Sequence, residues 1–300
     1  MKHIVGISLG SSERDHMVTV ELKGEQYKIE RIGTDGNMKK MIEKIEELDG
    51  KVDAFGLGGM DLYIYAVDRR YEIRDARRIV RAARKTPIVD GSGLKNTLER
   101  RAIEYLAENT DIFESPRKVL LMCAMDRLGM AQALEKAGCI MTYGDLPYIL
   151  GVPKSLSSLK TLAAIARILA PIVGQLPFTM IYPTGEKQTV NKPRFTKYFL
   201  ENEIIAGDFH FIHRYMPEQL PGRIIITNTV TRSDIDFLKN RGVKTLITTT
   251  PEMEGRSFGT NVMEALLVCM GGGKNELSEE QYNQLLKEIN LVPRIVNLQG

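Results

Sequence analysis

Val119-Leu120-Leu121-Met122-Cys123 runs straight into Ala124-Met125-Asp126, and four later segments repeat that design. They are Ile140-Met141-Thr142-Tyr143 before Gly144-Asp145, Ile204-Ile205-Ala206 before Gly207-Asp208, Ile224-Ile225-Ile226 before Thr227-Asn228-Thr229, and Thr245-Leu246-Ile247 before Thr248-Thr249-Thr250-Pro251. Short apolar runs alternating with helical patterns imply parallel strands buried on both faces. In such sheets the carboxyl ends of the strands line one crevice, and ligands bind there. The pattern therefore predicts that Asp126, Asp145, Asp208, Asn228 and Thr250 converge on one site.

Between these strands the spacing of apolar residues predicts helices over 126–137, 155–173, 209–215, 232–240, 260–270 and 278–289, with an edge strand over 178–182. The first 115 residues read as a separate α/β unit. His3 to Leu9 is a strand. Met17 to Leu22 and Gln26 to Ile32 alternate around Lys23-Gly24-Glu25 as a hairpin, and Leu62–Ala66 with Tyr71–Ile73 suggests a second. Ile73 to Lys85 reads as a basic amphipathic helix, stopped before Pro87. The expected fold is two α/β domains, residues 1–115 and 116–300, the second a doubly wound, mostly parallel Rossmann-like sheet.

Forty-one basic and 38 acidic side chains leave a formal charge of +3 over 300 residues, too small a surplus to argue for nucleic acid or a membrane surface. The three cysteines sit in apolar runs and none is spaced as CxxC, which argues against disulfides and a structural zinc. Met1 to Val5 enters a strand directly, with no signal-peptide pattern, and the apolar stretch 162–176 is too short to span a bilayer. These readings predict a cytoplasmic protein with no resident metal. The apolar helix over 156–173 would suit a homodimer contact.

Several stretches carry candidate chemistry. Gly10-Ser11-Ser12 and Gly56-Leu57-Gly58-Gly59 are glycine-rich strand ends whose free N–H groups suit an oxyanion, or serve only as turns. Asp90 to Arg100 is densest in functional groups: Lys95 reads either as an acid/base partnered by Asp90 or as a surface pair with Glu99. Ser92 and Asn96 flank it as substrate contacts, with Gly58, Gly59, Arg256 and Asn261. Asp208, His210 and His213 suggest acid/base chemistry, and His210 joins the catalytic candidates. Thr227, Asn228 and Thr250 present hydroxyl and amide groups at adjacent strand ends. A G-x-G-x-x-G fingerprint laid on the first turn of the second half gives Ala124, Asp126 and Gly129, of which one is glycine. Asp145 lies 22 residues beyond Cys123, where a ribose-binding acid belongs. Asp126 reads equally as a helix N-cap.

Ile32-Gly33-Thr34-Asp35-Gly36, Val52 to Tyr63 (VDAFGLGGMDLY), Asp90 to Arg100 (DGSGLKNTLER) and Gly259 to Ala265 (GTNVMEA) together resemble a group of bacterial proteins labelled quinate 5-dehydrogenase-like. The likeness runs along nearly the whole chain. It implies a hydride transfer between NAD or NADP and a hydroxylated cyclic carboxylic acid such as quinate or shikimate. Lys95 and Asp90 would move the proton, and Asp126, Gly129, Asp145, Asp208, Thr227, Asn228 and Thr250 would hold the cofactor. Two other readings stay open: a non-redox lyase, isomerase or transferase, and a ligand-sensing protein. Each would bind an anionic metabolite in a cleft between the domains.

Overall fold

The computed structural model describes residues 1–66, 69–173, 175, 190–253 and 256–299. Its helices are α1 (Met38–Leu48), α2 (Ala76–Val80), α3 (Ser92–Asn109), α4 (Leu128–Lys136), α5 (Leu159–Val173), α6 (Lys197–Glu201), α7 (Phe209–Tyr215), α8 (Arg232–Asn240), α9 (Thr260–Met270) and α10 (Glu279–Glu288). The contacts divide the chain into two compact units. One comprises Met1–Thr97, Leu169–Gln188 and Gly259–Leu291, and the other Leu98–Ile168, Thr189–Phe258 and Val292–Gly300. The units thus interleave along the chain, whereas the boundary expected after residue 115 divides it once.

In the first unit β1 (Lys2–Ser8) is the central strand. The antiparallel hairpin β2 (His16–Leu22) and β3 (Glu25–Gly33) turns at Lys23 and Gly24, both with positive φ (53° and 78°). That geometry is a type I′ turn, whose twist matches the twist of paired strands. β4 (Ala54–Gly58) lies on the other side of β1 and is followed by β7 (Ile88–Val89), giving the order β2-β3-β1-β4-β7. β5 (Tyr63–Ala66) and β6 (Arg69–Glu72) form a separate hairpin. Val5, Ile7, Phe55 and Leu57 point to one face, where Met41 and Ile45 of α1 and Ile79 of α2 cover them. Gly6 and Gly56 point to the other face, where α9 presses closely. A Cβ on Gly56 would stand 2.6 Å from the Asn261 carbonyl oxygen, and one on Gly6 2.5 Å from Val262 Cγ2.

The second unit holds β8 (Lys118–Leu121), β9 (Ile140–Tyr143), β10 (Ile204–Ala206), β11 (Ile224–Thr227) and β12 (Thr245–Thr248), with the small hairpin β13 (Glu252–Met253) and β14 (Arg256–Ser257). β15 (Arg294–Asn297), absent from the sequence reading, closes the sheet antiparallel to β12, and the order is β15-β12-β11-β10-β8-β9. The other pairings in this sheet are parallel. Alternate residues feed two cores. Val119, Leu121, Ile204, Ala206 and Ile226 pack with Ile103, Leu106, Met130 and Leu134. Leu120, Met122, Ile205, Ile225 and Leu246 pack with Phe199, Phe209, Ile212 and Leu238. The chain is therefore mixed α/β, with one mainly parallel sheet in each unit.

Several elements differ in extent from expectation. The helix expected from 155 begins at Leu159, because Leu156 first pairs with Tyr143 as an isolated bridge. The helix expected over 73–85 is confined to Ala76–Val80, and tighter turns carry the same amphipathic pattern on. The strand expected over 178–182 lies outside the described residues. No helix among them is long and apolar enough to cross a membrane.

Candidate functional site

In the first unit the ends of β1, β4 and β7 meet the start of α3 and of α9. Ser8 Oγ accepts the Gly10 N–H (3.1 Å), and a Cβ on Gly58 would stand 3.1 Å from both Ser8 Oγ and Asn261 Nδ2. Gly59 has a φ of +77°, a conformation glycine adopts without penalty. Asp90 follows β7, and its carboxylate accepts the N–H groups of Leu62 (2.5 Å) and Ser92 (2.9 Å). Burial and the neighbouring Asp61 push its pKa up, against the pull of Lys95. Lys95 Nζ lies 3.7 Å from Asp61 Oδ1, with side chains only 10% and 19% exposed. Ser92 is buried, and its Oγ has no hydrogen-bond partner among the described residues. Asn96 is half-buried on the same first turn of α3.

Glu264 completes this edge and was not singled out by the sequence reading. It sits on α9, its Oε2 accepting the Gly91 N–H (2.6 Å) and its Oε1 the Tyr282 hydroxyl (2.6 Å). Burial, reinforced by Asp90, pushes its pKa up to about 8, so the carboxyl is largely protonated at neutral pH. One signal was available: Glu264 is the only charged residue in the apolar run Val262 to Met270. Such a residue on a buried helix face must find a partner.

Lys95 and Glu99 are not the surface pair considered above. Both are buried, Lys95 beside Asp61 and Glu99 against the Arg127 guanidinium. In the second unit Arg127 is only 1% exposed and also reaches Asp208 Oδ2 at 3.0 Å. Asp208 caps α7 by accepting the His210 N–H (2.9 Å) and takes a further bond from Asn228 Nδ2 (2.9 Å). Thr227 Oγ1 donates to Asn228 Oδ1 (3.2 Å), and Thr250 Oγ1 to the Asn228 carbonyl (2.6 Å). The structure thus joins Asp208, Thr227, Asn228 and Thr250 in one hydrogen-bonded chain across β10, β11 and β12.

The remaining candidates fall elsewhere. His210 is exposed on α7. His213 stacks on Phe237 with ring centroids 4.2 Å apart, and burial lowers its pKa. Asp126 lies in a short turn before α4, whose N-cap position is taken by Arg127 without a side-chain capping bond. Gly129 is buried within α4. The Arg256 side chain lies outside the described residues. Among those residues no group of three or more His, Cys, Asp or Glu could hold a metal.

Asp145 closes the turn after β8 from within. Its buried carboxylate accepts the N–H groups of Ala124 (3.0 Å) and Met125 (3.1 Å), the amides of the turn after β8. A pyrophosphate would need those amides and would meet this carboxylate. Burial pushes the Asp145 pKa up to about 6, with the two amide bonds pulling it back.

The same arrangement recurs at other turns. Asp35 takes the Ser12 N–H (2.7 Å), Asp15 the Gly33 N–H (2.6 Å), and Asp90 and Glu264 the amides around Gly91. Of the glycine-rich ends, Gly56 serves close packing against α9, and the Gly10 and Ser12 amides are taken by Ser8 Oγ and Asp35.

Residues 93–298 match the model of a domain of unknown function, DUF8754. The chain belongs to the DUF8754 family. Residues 3–90 match a second domain of unknown function, DUF8753. No curated protein matches the sequence.

Solved structures to which the chain is similar include an ABC-transporter solute-binding protein from Agrobacterium vitis bound with α-D-tagatopyranose. It shows 10% identity over 99% of this chain and 95% of that one, at a TM-score of 0.35. A periplasmic solute-binding protein from Actinobacillus succinogenes with bound D-allose shows 9% identity over 100% and 98%, at 0.33. A glucose-galactose binding protein from Geobacillus stearothermophilus shows 11% over 100% and 98%, at 0.35. Likeness at these scores carries no argument about what this chain binds.

These matches correct the expected kinship. The family models that match describe domains of unknown function, not shikimate or quinate dehydrogenases. The oxidoreductase reading is withdrawn with that kinship. The cytoplasmic expectation is withdrawn too, since neither family model fixes a compartment.

Proposed function

We propose that the chain is a binding protein for a small, uncharged, polyhydroxylated molecule, held at the carboxyl edge of the first unit's sheet. The observation that carries this reading is the filling of four amides at the turns of that unit by the protein's own carboxylates. An anionic ligand would find those donors taken and Asp61 and Asp90 close by, so the anionic metabolite expected above is the less favoured ligand.

What the edge offers is a mixture of acceptors and donors. Asp61 and Asp90 can accept hydroxyl hydrogens, Lys95 and the Asn261 amide can donate, and the unpartnered Ser92 hydroxyl can do either. Such a set matches several hydroxyl groups on one small frame. The polar groups fix orientation, and the rigid strand ends pre-organise them. A homodimer is not required by this reading.

A melting-temperature screen of neutral sugars and polyols against wild type and Lys95→Met tests it. A ligand at 100 times its dissociation constant stabilises by about 2.7 kcal/mol, an upward shift that is easily read. The proposal expects a shift with at least one neutral compound, much reduced in Lys95→Met. Shifts confined to phosphorylated or carboxylated compounds would refute it.

A further inference from the structure

The helix and turns over 74–85 carry a second surface that ligand binding does not use. Arg74, Arg77, Arg78, Arg81, Arg84 and Lys85 are all exposed there, while Ile73, Ala76, Ile79 and Ala82 are buried in the core of the first unit. The cations thus share one side of an amphipathic segment. The turn that ends it is fixed by Asp49, whose carboxylate accepts the N–H groups of Arg84 (3.0 Å), Lys85 (2.9 Å) and Thr86 (2.9 Å).

Six cations against Asp75 alone give this stretch of 12 residues a charge of +5. The whole chain is only +3, so everything outside the segment sums to −2. The modest total hides a segregated distribution. Arg77 pairs with Glu72 (2.7 Å) and Arg74 lies 3.7 Å from Asp75. Arg78, Arg81 and Arg84 form no ion pair among the described residues.

We propose that this face docks the phosphate backbone of a single-stranded nucleic acid, without reading its sequence. Five of the six cations are arginine, whose planar fork matches phosphate oxygens better than the ammonium of lysine does. A narrow polyanion suits a local patch: charge is screened within about 8 to 10 Å in physiological salt, so binding needs contact with this segment alone. No large apolar side chain between 71 and 85 is exposed, which leaves a membrane no anchor to take up.

The test is fluorescence anisotropy of a labelled 20-nucleotide single strand with the full-length chain and with R78Q/R81Q/R84Q. Anionic vesicles and polyglutamate are run alongside, and circular dichroism melting confirms that the variant folds. The proposal expects binding on the order of 10 µM at low salt. It also expects a log–log salt slope of about −0.7 per phosphate contacted, and a loss of about tenfold or more in the variant. Absence of binding, or binding retained by the folded variant, would overturn it. So would vesicles or polyglutamate binding as tightly as the oligonucleotide.

Discussion

The carboxylate of Asp145 accepts the backbone N–H of Ala124 at 3.0 Å, so the end of β9 closes the turn after β8 from within. The chain spends an acid on a position where nucleotide-binding proteins of similar topology leave amides free for phosphate. Asp35, Asp15, Asp90 and Glu264 do comparable work in the first unit. On the proposed reading, these acids exclude anions as much as the remaining groups attract a neutral ligand.

Asp145→Ala strands two N–H groups, of which Ala124's is buried, without giving them water. The expected loss is about 2 to 3 kcal/mol in urea unfolding, with the slope against denaturant unchanged. Asp145→Asn keeps one acceptor oxygen and should lose less. Equal stability of wild type and Asp145→Ala would show that these bonds are not made in solution.

Glu264 makes stability depend on pH in a defined direction. Its folded pKa of about 8 lies above the ordinary carboxyl value, so across that interval the folded state holds a proton the unfolded state has released. Stability should therefore fall as pH rises from about 4.5 towards 8. Asp145, raised to about 6, contributes only in the acidic part of the window. Glu264→Gln should flatten the segment above about pH 6.5 in a series of urea titrations. A wild-type curve already flat there would contradict the burial argument.

Arg127 is the cation between Glu99 and Asp208. Arg127→Met leaves the buried Glu99 carboxylate uncompensated and should cost about 3 to 5 kcal/mol. Adding Glu99→Met removes that stranded charge, and most of the loss should return. A double variant no more stable than the single one would mean that Arg127 acts through packing alone.

Gly56→Ala places a methyl 2.6 Å from the Asn261 carbonyl oxygen, so α9 must move off the sheet. The expected destabilisation is about 1 to 3 kcal/mol. Gly138→Ala, whose Cβ meets nothing within 4 Å, pays only for its φ of +79° and should cost less.

The strands were legible because their signal is local. Apolar runs such as Ile204–Ala206 and Ile224–Thr227 can be buried on both sides only in a covered sheet, and the hairpin at Lys23-Gly24 announces its own turn. Asp90, Ser92 and Lys95 were legible as a dense polar run, and they do lie together. What failed was long-range pairing. Gly91 meets Glu264 across 173 positions and Arg127 meets Asp208 across 81, and no local pattern encodes either partner. The glycines at 56 and 58 misled for a related reason: their cause is α9, more than 200 residues away in sequence. β15 escaped because Arg294–Asn297 is half exposed and carries no continuous apolar run.

The central claim is that the first unit's edge takes a neutral polyhydroxylated ligand because its anion-binding amides are already filled. Calorimetric titration with a matched pair, a neutral sugar found in the screen and its phosphate ester, tests it most directly. Binding of the neutral sugar at least tenfold tighter than its ester, and weakened by Ser92→Ala, is the predicted result. A phosphate ester that binds as tightly as the neutral sugar, or more tightly, would contradict the account.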